Sequence, residues 1–87
     1  MEPEVPHYVR FLVRDRPGIV AAIAGALAAE GINLNAILQR PGYPAEGLPF
    51  VVTVEPCRAS ALRRALTAIA QMDFLLAPPL DMQILEK

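Results

Sequence analysis

The chain has 87 residues, 54% of them hydrophobic, and a formal net charge of −1. That length holds a single core, and so high an apolar content is incompatible with a disordered chain. The weak charge provides no field for nucleic acid or an acidic membrane, and one cysteine (Cys57) and one histidine (His7) exclude an internal disulfide and a His/Cys zinc site within one chain.

The opening "MEPEVPHY" is acidic and proline-broken, unlike a secretory or transit peptide, and residues 1–6 read as a loose lead-in to one domain over 1–87. No apolar run attains the roughly 18–20 residues that span a bilayer, so a cytoplasmic location and no membrane partner are expected. Residues 7–14, "HYVRFLVR", alternate, with Val9, Phe11 and Val13 on one face, which predicts a strand with one buried side. His7, at its start, has no acidic neighbour in sequence and is assigned no chemistry.

From Pro17 to Glu30 the period becomes helical, with Ile19, Ile23, Ala26, Leu27 and Glu30 on one stripe, and Gly31 supplies the stop. Gly25 costs about 1 kcal/mol in mid-helix, which predicts close approach of the second helix there. "INLNAILQ" (32–39) is a second strand, setting Ile32, Leu34, Ala36 and Leu38 against Asn33, Asn35, Ile37 and Gln39. Residues 40–49 read as a loop, "FVVTVE" as a third strand, and 59–72 as a second helix burying Leu62, Ala65, Leu66, Ile69 and Met72. "LDMQILE" closes the chain as a fourth strand.

The order β-α-β-β-α-β predicts an α+β fold: a ferredoxin-like sandwich with a four-stranded antiparallel sheet, order 4-1-3-2, and two helices on one face. The open face would carry Arg10, Asn33, Asn35, Gln39, Thr53 and Gln83 and could face water uncovered. The second strand lies at an edge without lysine or proline, which predicts a two-fold dimer, or a multiple of dimers, through that strand and the first helix.

"RDRPGIV" (14–20) joins the first strand to the first helix. Unpaired N–H groups and the helix dipole at such a start welcome a carboxylate or phosphate, and Gly18 keeps a Cβ out of the way. Asp15 has two readings: a holder for an ammonium group, or an ordinary N-cap worth about 1 kcal/mol.

"DRPGIVAAIAGALAAEGINLNAILQ" resembles the signature of ACT domains, small regulatory modules of amino-acid metabolism, through Asp15, Pro17, Gly18, Gly31, Ile32 and Asn33. The stretch from Leu48 on, with "ALRRAL", "MDF" and "APP", is similar to the C-terminal end of the bacterial homoserine dehydrogenases. The resemblance implies a regulatory domain whose catalytic partner, an NAD(P)-dependent oxidoreductase, lies outside this chain. It implies a small amino acid at a subunit interface, with threonine, the pathway's end product, as the favoured effector. The turn residues would be Asp15, Arg16, Pro17, Gly18, Ile19 and Val20 of one subunit, with Asn33, Leu34 and Asn35 from the other. Some serine-binding relatives place a histidine where this chain has Val13, which speaks against serine. A free-standing ACT protein, or a purely structural dimeriser, is the alternative.

No catalytic, metal or cofactor site is expected in this chain, and no GxGxxG follows a strand. Acylphosphatases share the topology, and Arg16, Gly18 and Asn33 suit one in residue type, but their longer glycine-rich loop is missing. An RNA-binding sheet needs exposed aromatics, and of Tyr8, Phe11 and Phe50 two point inward. Cys57 precedes the second helix without a base, and Arg58, Arg63 and Arg64 read as a solvated face.

Overall fold

Six elements follow one another in the expected order in the computed structural model, which describes residues 2–14, 16–39 and 47–84. They are β1 (Glu4–Val13), α1 (Ile19–Ala29), β2 (Leu34–Gln39), β3 (Leu48–Arg58), α2 (Ala59–Ala70) and β4 (Leu80–Gln83). The strands form one antiparallel sheet in the order β2-β3-β1-β4, the expected order read from its other edge.

The long β1–β3 pair sets the core. Val9 lies opposite Val52, Phe11 opposite Phe50 and Val13 opposite Leu48, so apolar residues of both strands stack on one face. The Phe11 and Phe50 rings are 5.7 Å apart at 38°, a tilted aromatic pair. Ile19, Ile23 and Leu27 of α1 and Leu62, Ala65 and Ile69 of α2 close over that face as predicted, with Leu66 and Met72 packed at its margin.

α1 ends as its sequence dictates. Gly31 takes φ +73°, its N–H donates to Ala28 O at 2.9 Å, and the Ile32 N–H donates to Leu27 O at 3.0 Å. This is the Schellman pattern with its apolar contact, since Ile32 and Leu27 are both buried.

Several boundaries and faces differ from the sequence reading. β1 begins at Glu4, with Glu4 opposite Arg58 and Val5 opposite Cys57, so Glu4–Pro6 belong to the sheet rather than to a lead-in. Glu2 is also engaged: the Ser60 N–H donates to its carboxylate at 3.1 Å and the Ser60 hydroxyl donates to its other oxygen, tying the N-terminus to the start of α2. Leu48 and Pro49, read as loop, open β3, which then runs through Pro56 to Arg58 past a bulge where β1 has Pro6. β2 starts two residues later than expected, at Leu34, and β4 stops at Gln83. The remainder of the expected loop, residues 40–46, lies outside the described residues.

The largest correction concerns β2. Its register slips between Leu34 and Ala36, so Leu34 faces Val54 while Ile37 faces Val52 and Gln39 faces Phe50. A bulge inserts one residue and turns all later side chains to the other side. Ile37 and Gln39 therefore lie on the helix side, and Ala36 and Leu38 on the open side, the reverse of the alternation. Gln83, opposite His7, is likewise on the helix side. Gly25 is exposed and a Cβ there would meet nothing within 4 Å, so it serves no close approach to α2.

Candidate functional site

β1 passes its last buried residue at Val13, and the Arg14 N–H donates to Phe74 O at 2.8 Å, which fixes the exit of the strand. The Arg16 guanidinium then donates to the Asp73 carboxylate and lies 5.7 Å from the centroid of the Phe74 ring. Gly18 occupies the N-cap position of α1 at φ +91°, ψ −4°, a left-handed conformation that favours glycine. Its carbonyl accepts the Ala22 N–H at 2.9 Å, and among the described residues no side chain caps the helix. The N-cap position thus belongs to Gly18 and not to Asp15, which itself lies outside the described residues.

Beside this helix start is a cavity of ≈ 420 Å³, within the size range of small-molecule sites. Val13, Leu48 and Phe50 form its floor, α1 from Gly18 to Ala24 forms one wall, and Gln39 closes the far side. Arg16 stands at the rim. The lining is apolar except for the Arg16 guanidinium, the Gln39 amide and the backbone of the first helical turn, where N–H groups lack helical acceptors. Such a place holds an anion at the helix start and a short aliphatic group against Ala21 and Ala24.

The structure gathers Arg16, Gly18, Ile19 and Val20 of the expected residues around this cavity. Pro17 is in the same turn but exposed and off the wall. Asn33, Leu34 and Asn35 lie at the opposite end of β2, about 17 Å of strand from Gln39. One chain by itself does not bring them to the cavity. Asn33 uses its backbone carbonyl to accept the Glu55 N–H at 3.0 Å. Arg16 and Asn33 therefore do not meet as an acylphosphatase-like pair.

Gln39, Val13, Ala21, Ala24, Leu48 and Phe50 are wall residues that the sequence reading missed. Ala21 and Ala24 follow Gly18 at three-residue spacing, a helical signal that was available. Gln39 carried none, because a strict alternation puts it on the wrong side of the sheet.

Elsewhere, His7 is fully buried, and its Nδ1 is 2.8 Å from Asp81 Oδ1, a partner 74 residues away. Cys57 is buried, and burial, reinforced by the negative charges of Asp81 and Glu4, raises its pKa. This is the opposite of an activated thiolate. Among the described residues no group of three His, Cys, Asp or Glu side chains is placed to hold a metal ion, and no helix is long and apolar enough to cross a membrane. Phe11 and Phe50 are core residues, so neither ring is available to stack on a base.

Comparison with known proteins bears on this geometry. The family model of the ACT domain matches residues 7–73. A homoserine dehydrogenase of Pseudomonas aeruginosa is 24% identical over 82 residues, which are 93% of this chain and 19% of that protein. The chain thus spans about a fifth of that relative's length. The crystal structure of a homoserine dehydrogenase from Thiobacillus denitrificans superimposes with a TM-score of 0.81 at 20% identity, over 92% of this chain and 17% of the other. The regulatory subunit of aspartate kinase from Thermus thermophilus, in its ligand-free form, gives 0.69 at 24% identity, over 90% and 50%. At these identities the superpositions establish the shared fold.

Proposed function

Because this chain belongs to the ACT domain family, we propose that it is an amino-acid-sensing regulatory module whose effector binds beside the β1–α1 turn. One observation carries the reading: the ≈ 420 Å³ cavity is lined by the start of α1, with Gly18 at its N-cap, and by Arg16. The effector carboxylate would accept from the first-turn N–H groups and Arg16, and its short side chain would lie against Ala21 and Ala24. Asp15 would hold the ammonium group. The likeness to homoserine dehydrogenases favours threonine and a parent enzyme of that kind, with its dehydrogenase chemistry in a separate catalytic part. A dimer through the β2 edge and α1 would bring Asn33, Leu34 and Asn35 of a second subunit to the ligand, since one chain leaves them far from the cavity.

Calorimetric titration with threonine, serine, isoleucine, lysine and aspartate tests this. Saturable binding of threonine, lost in Asp15→Ala by roughly 1.5–3 kcal/mol for a charge-assisted bond, is the expected result. Absence of heat with every amino acid, and of any ligand-induced rise in Tm, would leave the module without an effector. A purely structural dimerising role is the second reading, and one contact favours it: Arg16 is already engaged by Asp73.

A further inference from the structure

The chain that follows α2 is held to the end of β1 at only a few points. Leu75 lies opposite Val13 in an isolated antiparallel bridge. The Arg14 N–H donates to Phe74 O at 2.8 Å, and the Leu76 N–H donates to Leu12 O at 2.9 Å. Phe74 is buried, whereas Asp73 and Leu76 on either side of this contact are exposed. β4 is attached separately. From Leu76 to Leu80 the returning chain advances four residues, while β1 between their partners Leu12 and Arg10 advances two. Ala77, Pro78 and Pro79 make that detour, and a proline has no N–H to give to a sheet. Residues 73–76 can therefore part from β1 while β4 stays paired.

Arg16 adds a side-chain hold on the same segment. Its guanidinium donates to the Asp73 carboxylate and lies 5.7 Å from the Phe74 ring centroid, and the residue also lines the cavity beside α1. The two anion positions within its reach differ in kind. The Asp73 side chain is 76% exposed, so water screens the pair and solvates its carboxylate well without it. A carboxylate in the cavity would also accept from the first-turn N–H groups of α1. It would do so among Val13, Leu48 and Phe50, where a charge-assisted bond is stronger than in water. Two carboxylates brought to one guanidinium also repel each other.

We propose that Arg16 is a two-position latch, an inference that rests on the amino-acid reading of the cavity. In one position the guanidinium holds residues 73–76 to the end of β1 through Asp73. In the other it serves the carboxylate of the bound effector, and that segment is released. The coupling is reciprocal: whatever presses residues 73–76 onto β1 weakens the effector by the same factor by which the effector loosens the segment. The short connection between α2 and β4 is thus the part of this chain that responds to the ligand.

Amide exchange followed by NMR, with threonine as the probe, tests the latch. The Leu76 amide reports the hold, because its bond to Leu12 opens when the segment lifts. Arg16→Gln without ligand should speed its exchange about two- to fivefold, the worth of an exposed ion pair. Saturating threonine should speed it by a similar factor in the wild-type chain, while the Val9 and Val52 amides of the β1–β3 pair do not speed up. In Asp73→Asn the Leu76 amide should exchange fast from the outset, and threonine should add nothing. Heat of threonine binding with unchanged Leu76 exchange overturns the latch and leaves the effector site standing. Slower exchange on binding also overturns it, since Arg16 would then bridge the two carboxylates. Arg16→Gln that exchanges like wild type overturns it whether or not threonine binds. Absence of both heat and any change in exchange with threonine removes threonine as the effector and the latch with it.

Discussion

Arg16, in the turn that leads into α1, is bonded through its guanidinium to Asp73, 57 residues later, and lies over the ring of Phe74. The same guanidinium stands at the rim of the cavity. It is therefore shared between the loop after α2 and any anion that enters. Both side chains are substantially exposed, so the pair itself contributes little to stability. Asp73→Asn should leave the melting temperature nearly unchanged and should tighten binding of an amino-acid carboxylate, because Arg16 is released. Calorimetry on the two proteins decides it: equal or weaker affinity in the variant would mean that Arg16 does not serve the ligand.

Gly18 and Gly25 offer a paired experiment on α1. A Cβ at either position meets nothing within 4 Å, so space does not distinguish them. Gly18 has φ +91°, whereas Gly25 lies within the helix. Gly18→Ala should cost about 1–2 kcal/mol through backbone strain, and Gly25→Ala should gain about 0.5–1 kcal/mol through helix propensity. For Gly25 the sequence alone suggested the opposite, a close approach to the second helix. Urea unfolding of the two variants measures the difference, and a stabilised Gly18→Ala would contradict the observed turn geometry.

Cys57 should be inert in the folded protein. Its thiol is buried, and desolvation, then Asp81 and Glu4, hold its pKa above the ordinary value. Reaction with a disulfide reagent at pH 8 should be about tenfold or more slower than in the urea-unfolded chain, with the residual rate reporting local opening. Equal rates in the two states would show that the β3–α2 junction is open.

What the sequence revealed follows from how local each cause is. The Pro17–Gly18 turn, the Gly31 stop, the alternation of Val9, Phe11 and Val13 and the helical stripes of Ile23, Leu27, Leu62 and Ile69 are set by neighbouring residues, and all were legible. The face that Gln39 presents was not, because a bulge in β2 is decided by its pairing with β3. The apolar character of the open face was hidden for the same reason: Leu38 had been placed in the core. Glu2 on Ser60 and Asp81 on His7 join residues 58 and 74 apart, which no periodicity displays. Of the cavity lining, Arg16, Gly18, Ile19 and Val20 were foreseeable from the turn, whereas Gln39 depended on the β2 register.

The His7–Asp81 contact should matter for β4. His7 is buried with its Nδ1 2.8 Å from the Asp81 carboxylate, while β4 is four exposed residues paired only to β1. Asp81→Ala would strand a buried ring nitrogen and cost about 1–3 kcal/mol. It should also release β4 locally, so that the Asp81–Gln83 amides exchange faster than those of β1 and β3. Uniform exchange behaviour across the sheet, with stability unchanged, would show that the pair does not clamp the strand.

Glu2 gives the fold a dependence on acid pH. The Ser60 hydroxyl bonded to its carboxylate, and secondarily the Ser60 N–H with Arg58 and Arg63 nearby, lower its pKa from the ordinary 4.5, outweighing the opposing effect of desolvation. A carboxyl with a folded pKa below its unfolded one binds its proton more readily when unfolded. Its stabilising contribution is therefore fully present above the unfolded value and is lost as pH falls through the lowered, folded one. The Tm of the wild-type chain should decline as pH falls below the ordinary carboxylate value of 4.5, and Glu2→Gln, which has no charge to lose, should decline less steeply. The two curves should converge at the acid end. Parallel curves over the whole range would mean that Glu2 does not hold the start of α2 in solution and that the N-terminal residues are loose after all.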